Sequence, residues 1–295
     1  MWPTNKILMI RPASFGYNTE TALTNSFQNI AAVNEAKNAV HEFDQMVLLL
    51  QQNEIDVTVV PDTELPEKPD AIFPNNWISM HQRKLCVLYP MLHPNRRIER
   101  RSDIIELVCK NQEKLIDLSY LETENIFLEG TGSLVIDHIF NTAYAAISPR
   151  TSIKALQIFE EKTGINVISF TAFDRAQQPI YHTNVIMALS PVVVVICLEV
   201  IPIMEQEKLL NAFEQSKKEV IEISLQQLEN FAGNMLCLKN KQNQSIMLMS
   251  NTAYHSLNVV QINAIKKHHK ILSLPIPSIE KIGGGSVRCM MAELF

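Results

Sequence analysis

The chain has 295 residues, 46% of them hydrophobic and 19% charged, with a formal net charge of −5. This is the balance of an ordinary globular protein long enough for a large core. Dispersed basic residues argue against a nucleic-acid surface. The most apolar stretch, 185–204, is broken by Ser190, Pro191 and Glu199, which excludes a membrane span.

Five cysteines, at 86, 109, 197, 237 and 289, form an odd set with no paired spacing, so reduced thiols and a cytoplasmic location are expected. No metal-ligand spacing links them to the histidines, and the first residues carry no signal-peptide pattern.

In chain order, a strand at 7–10 runs into Arg11 and Pro12. A polar loop through Phe15, Gly16, Asn18 and Glu20 follows, of a length that often serves as a lid. Helical spacing carries the chain from Ala31 through Val40, Phe43, Val47 and Leu50. Short strands then recur at 57–60, 115–119, 166–170, 220–224 and 270–274, each after a helical stretch. The last four lie about 50 residues apart, the mark of an internal repeat.

Each period reads as two strands, a helix and a strand. Strands at 77–80 and 85–89 precede a helix at 98–110, and strands at 133–136 and 139–145 precede one at 152–161. A strand pair within 184–197 precedes a helix at 205–217. Strands at 235–238 and 246–249 precede a helix at 258–267, whose end, Lys266 with Lys267, His268, His269 and Lys270, reads as solvated. The two chain ends must complete the fifth period, with a strand at 287–292. The expectation is an α/β fold, a five-bladed α/β propeller of ββαβ repeats, in one domain over 1–295.

A shared phase marks the candidate site. About ten to fifteen residues after each repeat's last strand comes a polar residue in a Gly-, Pro- or Asn-containing loop. These residues are Asn75 with Asn76, Glu129, His182 with Asn184, Asn234, and Cys289. In a closed repeat they converge at one end of the axis. Cys289 follows Gly283, Gly284 and Gly285 at an expected loop-to-strand junction, where a cation such as Arg288 favours thiolate. Cysteine, histidine and carboxylate together suit nucleophilic catalysis. Taken singly, each has an inert alternative: a structural thiol, a hydrogen-bonded core imidazole, a carboxylate capping loop amides.

On the Gly-rich approach to Cys289, the Glu129-Gly130 turn, His182-Thr183-Asn184, Arg11-Pro12 and Phe73-Pro74-Asn75-Asn76, the chain resembles the guanidino-group-modifying enzymes of the five-bladed pentein fold. That group holds arginine deiminases, dimethylargininases and amidinotransferases. The resemblance implies Cys289 as nucleophile, His182 as acid and base, and Glu129 as its partner or a contact to the substrate nitrogens. It also implies that Arg96 and Arg150 hold the substrate α-carboxylate, and that no metal or organic cofactor takes part. Arg96 and Arg97 equally suit a solvated helix start. Asn75, Asn76 and amides near Gly284 are unranked donors for an oxyanion, and Asn234 either touches ligand or ties the fourth loop.

Deiminases of this group place carboxylates at the positions of Asn76 and Asn184. Carboxamides there leave a guanidinium without its counter-charge and suit a neutral ureido group. Gly130-Thr131-Gly132 removes another acid, so the resemblance is strongest to the citrulline-hydrolysing branch. The expected reaction converts citrulline to ornithine, carbon dioxide and ammonia. A small amino acid is the expected partner, with no nucleic acid or membrane, and a homo-oligomer is left open. The alternatives are a guanidine dihydrolase, deiminase or amidinotransferase and, more distantly, a non-catalytic ribosome-binding propeller.

Overall fold

The computed structural model describes residues 2–25, 27–29 and 33–295. β1 (Lys6–Arg11), α1 (Val33–Gln52) and β2 (Asp56–Pro61) open the chain. β3 (Ile78–His81), β4 (Leu85–Leu88), α2 (Pro94–Arg97), α3 (Ser102–Cys109) and β5 (Lys114–Asp117) follow. Next come α4 (Gly130–Ser133), β6 (Val135–Asp137), β7 (Thr142–Ile147), α5 (Ile153–Thr163) and β8 (Asn166–Thr171). Then come α6 (Thr183–Ile186), β9 (Met187–Leu189), β10 (Val193–Ile196), α7 (Ile203–Gln215) and β11 (Glu219–Glu222). The last group is α8 (Leu225–Glu229), β12 (Leu236–Lys239), β13 (Ser245–Ser250), α9 (Asn251–Ser256), α10 (Val259–Lys266) and β14 (Lys270–Leu274). α11 (Pro277–Gly283) and β15 (Ala292–Leu294) end the chain.

These strands build five three-stranded sheets of one topology. In each, the central strand pairs antiparallel with one neighbour and parallel with the other. The first sheet, β15-β1-β2, joins the two ends of the chain, with Ile7 opposite Glu293. A parallel strand needs a crossover, and α1, α3, α5, α7 and α10 supply it. α1 turns Ala39, Phe43, Met46 and Leu50 inward at helical spacing. Capping boxes at Ser224 with Gln227 and at Asn258 with Gln261 start α8 and α10.

The core lies between sheets. Successive strand residues point to opposite faces, so Ile7 and Met9 of β1 pack with Leu236, Leu238 and Leu248. Leu8 and Ile10 pack the other way, with Ile78, Met80 and Leu88. Because both faces are covered, central strands such as β10, Val193 to Ile196, are buried along their whole length.

Several expectations are corrected. Residues 287–292 are not one strand: Val287–Met290 forms a 3-10 turn in which the Cys289 N–H donates to the Ser286 carbonyl at 3.0 Å, and only β15 is extended. The helix expected at 98–110 starts at Ser102, because Arg101 is extended and separates α2 from α3. His269 is not solvated but buried, with its ring nitrogens bonded to Ser245 and Ser190. Cys86 and Cys109 form a disulfide between β4 and the end of α3, with Cα atoms 6.2 Å apart, while Cys197, Cys237 and Cys289 are free. Ala31, expected in α1, lies outside the described residues. Among the described residues no helix is long and apolar enough to cross a membrane.

Candidate active site

Four single-turn elements, each leading into the first or edge strand of a sheet, carry most of the candidate residues. They are the 3-10 turn Pro74–Asn76, α4 behind Glu129, α6 behind His182, and the turn Val287–Met290. The first of these turns packs against both α4 and the last, and α4 packs against α6. Cys289, His182, Asn76, Arg96, Arg150 and Asp70 line one cavity of about 20 Å³, room for a single water.

The His182 Nε2 lies 2.9 Å from the Glu129 Oε2. Burial by itself would raise the Glu129 pKa, but the guanidinium of Arg150 at 3.3 Å and the His182 hydrogen bond hold it well below the usual carboxylate range. An ionised carboxylate only accepts, so Nε2 carries the proton and Nδ1 keeps its lone pair. Burial pushes the His182 pKa down to about 4, against the pull of Glu129, so the ring is neutral at pH 7. The Leu92 N–H donates to the other Glu129 oxygen at 3.1 Å.

Arg96 is committed within the protein. Its Nε and one terminal nitrogen donate to the two Glu99 oxygens at 2.9 and 2.8 Å, and its other terminal nitrogen donates to Asn76 Oδ1 at 2.8 Å. Burial pushes its pKa down, but Glu99 and Asp70 outweigh this and keep it charged. Arg150 instead bonds the Thr21 carbonyl at 3.2 Å and the Thr24 hydroxyl at 2.7 Å, and its guanidinium lies 5.0 Å from the centre of the Tyr181 ring. The expected pair of carboxylate-binding arginines thus divides: Arg150 faces Thr21 and Thr24, while Arg96 orients Asn76.

The Asn76 Nδ2 has no protein partner. A β-carbon on Gly132 would lie 2.6 Å from that nitrogen and 2.7 Å from the His182 ring, which is why glycine occupies the position. Asn75 is fully buried and lacks partners for both side-chain polar atoms, but it does not line the cavity. Asn184 and Asn234, expected at the substrate, reach Cys289 itself: their Nδ2 atoms stand 3.4 and 3.3 Å from its Sγ.

Gly284, at φ 61°, ends α11 in the left-handed region that favours glycine. Its N–H is used by the Glu280 carbonyl at 3.0 Å, and its own carbonyl accepts from the Tyr181 hydroxyl at 2.7 Å. It therefore shapes the loop before Cys289 and has no amide proton to offer a ligand. The polar loop expected as a lid reaches Asp70 at the cavity through Asn18, and the residues after it contribute Thr21 and Gln28. Thr21 and Asn18 donate to Asp70 Oδ2 at 3.0 and 2.7 Å, and Gln28 donates to the Gly283 carbonyl at 3.1 Å.

Sequence reasoning missed Asp70 and Tyr181. Asp70 corrects the expectation of a pocket stripped of the counter-charges that deiminases place there, for it lines the cavity and its Oδ1 has no partner. The available signal was its place three residues before Phe73, whose N–H donates to the Asp70 carbonyl at 3.0 Å in the same turn.

Compared with curated protein sequences, the chain has no significant match. It is similar in structure to ArgZ, an arginine dihydrolase from the ornithine-ammonia cycle in cyanobacteria, with TM-score 0.77 and 16% identity over 97% of this chain. It spans 40% of the length of that protein. Against the N-terminal domain of ArgZ alone, in a form covalently bound to a reaction intermediate, the TM-score is 0.78 at 16% identity, over 98% of this chain and 97% of the domain. A DDAH from Pseudomonas aeruginosa, in a cysteine-to-serine form complexed with citrulline, has TM-score 0.67 at 17% identity over 98% of both chains. Residues 11–295 match the family described as N,N dimethylarginine dimethylhydrolase, eukaryotic. The chain therefore belongs to that dimethylhydrolase family, a family of hydrolases acting on carbon–nitrogen bonds within the guanidino-group-modifying superfamily.

Proposed function

We propose that the five sheets close as a five-bladed propeller in one domain and that the cavity at Cys289 hydrolyses the ureido group of citrulline to ornithine, carbon dioxide and ammonia. One observation carries the substrate choice. An arginine side chain can only donate, so the Arg96 bond fixes the Asn76 amide with Oδ1 inward and Nδ2 free. A free donor suits a ureido oxygen and opposes a guanidinium, which has only N–H groups to present.

In this reading the amino-acid head lies between Asp70, whose Oδ1 takes the α-ammonium, and Arg150, which takes the α-carboxylate. The cavity is far smaller than such a substrate, so Asn18, Thr21 and Thr24 lift off Asp70 and Arg150 to admit it. The Cys289 sulfur adds to the ureido carbon as its proton passes to the lone pair on His182 Nδ1. Negative charge gathers on the oxygen facing Asn76 Nδ2. That proton goes to the departing nitrogen, ammonia leaves, and a carbamoyl group remains on sulfur. His182 next takes a proton from water; the hydroxide adds, the C–S bond breaks, and the released carbamate loses carbon dioxide to give ornithine.

A second reading, an arginine dihydrolase, is favoured by the Asp70 carboxylate on the cavity, by Glu129 against His182, and by the likeness to ArgZ. Ammonia and ornithine measured after incubation with citrulline, arginine, methylarginines and N-acylarginine decide between them. Ornithine from citrulline alone supports the ureido reading, and turnover of arginine supports the second.

A further inference from the structure

We infer that Asn234, with Asn184, forms a carboxamide clamp that stabilises the Cys289 sulfur as an anion, which makes Asn234 a catalytic residue through its contact with the reacting atom. The inference rests on Cys289 being the nucleophile of the reaction proposed above. It does not depend on which substrate that nucleophile attacks.

The orientation of Asn234 is fixed at both ends. Its Oδ1 accepts the backbone N–H of Arg288 at 2.9 Å, and its Nδ2 donates to the Asn184 carbonyl at 2.8 Å. A backbone N–H cannot accept and a carbonyl cannot donate, so the amide cannot be turned over. The second Nδ2 hydrogen is therefore held toward Sγ, 3.3 Å away. Asn184 offers sulfur either atom of its amide, Nδ2 at 3.4 Å and Oδ1 at 3.8 Å. A thiol can donate to that oxygen, and a thiolate takes the two N–H groups.

Of the charged groups around the sulfur, Asp70 shares the cavity and keeps Oδ1 without a partner, whereas Arg288 and Glu129 are engaged elsewhere. The Arg288 guanidinium, although next in sequence, donates to the Met291 carbonyl at 2.9 Å and approaches Glu293 Oε2 at 3.4 Å. Glu129 is held by His182 and Arg150. Asn234, Asn184 and Cys289 are all buried. Neutral dipoles act strongly in such surroundings, where water cannot solvate the anion. The loop that presents Asn234 is also constrained: Phe231 is held at φ 60°, unusual for an aromatic residue, and its carbonyl accepts the Asn234 N–H at 2.9 Å.

The test uses no substrate. The rate of Cys289 alkylation by iodoacetamide is followed from about pH 5 to pH 10 for the intact protein, Asn234→Asp and Asn234→Ala, with Cys289→Ala to subtract the other thiols. The midpoint should rise by about one unit or more in both variants, further in Asn234→Asp, where an isosteric carboxylate opposes the thiolate. A midpoint within about 0.3 units of the intact protein in a folded variant overturns the clamp. If Asn234→Asp does not fold, Asn234→Ala and Asn234→Ser, checked by thermal denaturation, decide the matter in the same way. Inactivity toward citrulline with a shifted midpoint would refute the substrate choice and leave the clamp standing.

Discussion

Arg96 donates to Asn76 Oδ1 at 2.8 Å, and this single contact decides which end of a buried amide is left without a partner at the cavity that Cys289 also lines. Changing Asn76 to Asp keeps the size and the Arg96 contact but replaces the free N–H by an acceptor. Loss of one oxyanion donor lowers kcat by about 100-fold or more. Asn76→Asp should therefore lose citrulline hydrolysis to that extent while unfolding at a temperature close to that of the parent, as read by ammonia release and calorimetry.

Glu129 sits between His182, Arg150 and, at 4.0 Å, Arg96. Glu129→Gln removes the anion from two buried guanidinium groups, a type of change that costs about 3–5 kcal/mol. It also unfixes the His182 tautomer. A marked fall in denaturation midpoint together with loss of ammonia release is expected. Unchanged stability would show that Asp70 and Glu99 alone balance the two arginines.

Gly132→Ala would place a methyl 2.6 Å from Asn76 Nδ2 and 2.7 Å from His182. Overpacking of this kind costs about 1–3 kcal/mol, and here it displaces the proton-transfer ring and the oxyanion donor together. Gly16→Ala, whose methyl would meet nothing within 4 Å, is the control. Steady-state kinetics should show a large fall in kcat for the first and parent-like values for the second.

Burial holds four histidines neutral: the pKa values of His81, His182 and His269 are pushed down to about 4 and that of His138 to about 3. Unfolded histidine titrates near 6.5, so below that pH the unfolded chain binds more protons than the folded one, and stability falls as pH falls toward 4. Glu99, pushed up to about 7 by burial against the pull of Arg96, acts in the opposite direction, as do Glu280 and Glu293, whose carboxyls burial also raises. Thermal midpoints measured between pH 7.5 and 4.5 should decline toward acid; a rise would mean that the carboxylates dominate.

The repeat was legible because period-two and period-3.6 patterns recur along the chain: the strand expected at 270–274 is β14, and β1, β2 and β8 differ from expectation by a residue or two at their ends. The shared phase also placed Cys289, His182 and Asn76 on one cavity. What escaped depends on partners distant in sequence. Nothing in Pro94-Asn95-Arg96-Arg97 shows that Arg96 serves Glu99 and Asn76, and nothing near residue 234 shows that its amide reaches sulfur 55 positions away. The Cys86–Cys109 disulfide, spanning 23 residues from a buried strand to a helix end, has no local signature either.

The most direct measurement of the central claim is ammonia release from citrulline and from arginine by one preparation, with Cys289→Ala as the blank. The account predicts kcat/KM for citrulline at least about 100-fold above that for arginine, the discrimination expected when a fixed polar group matches one ligand and opposes the other. Equal rates, or arginine consumed while citrulline accumulates, would contradict it.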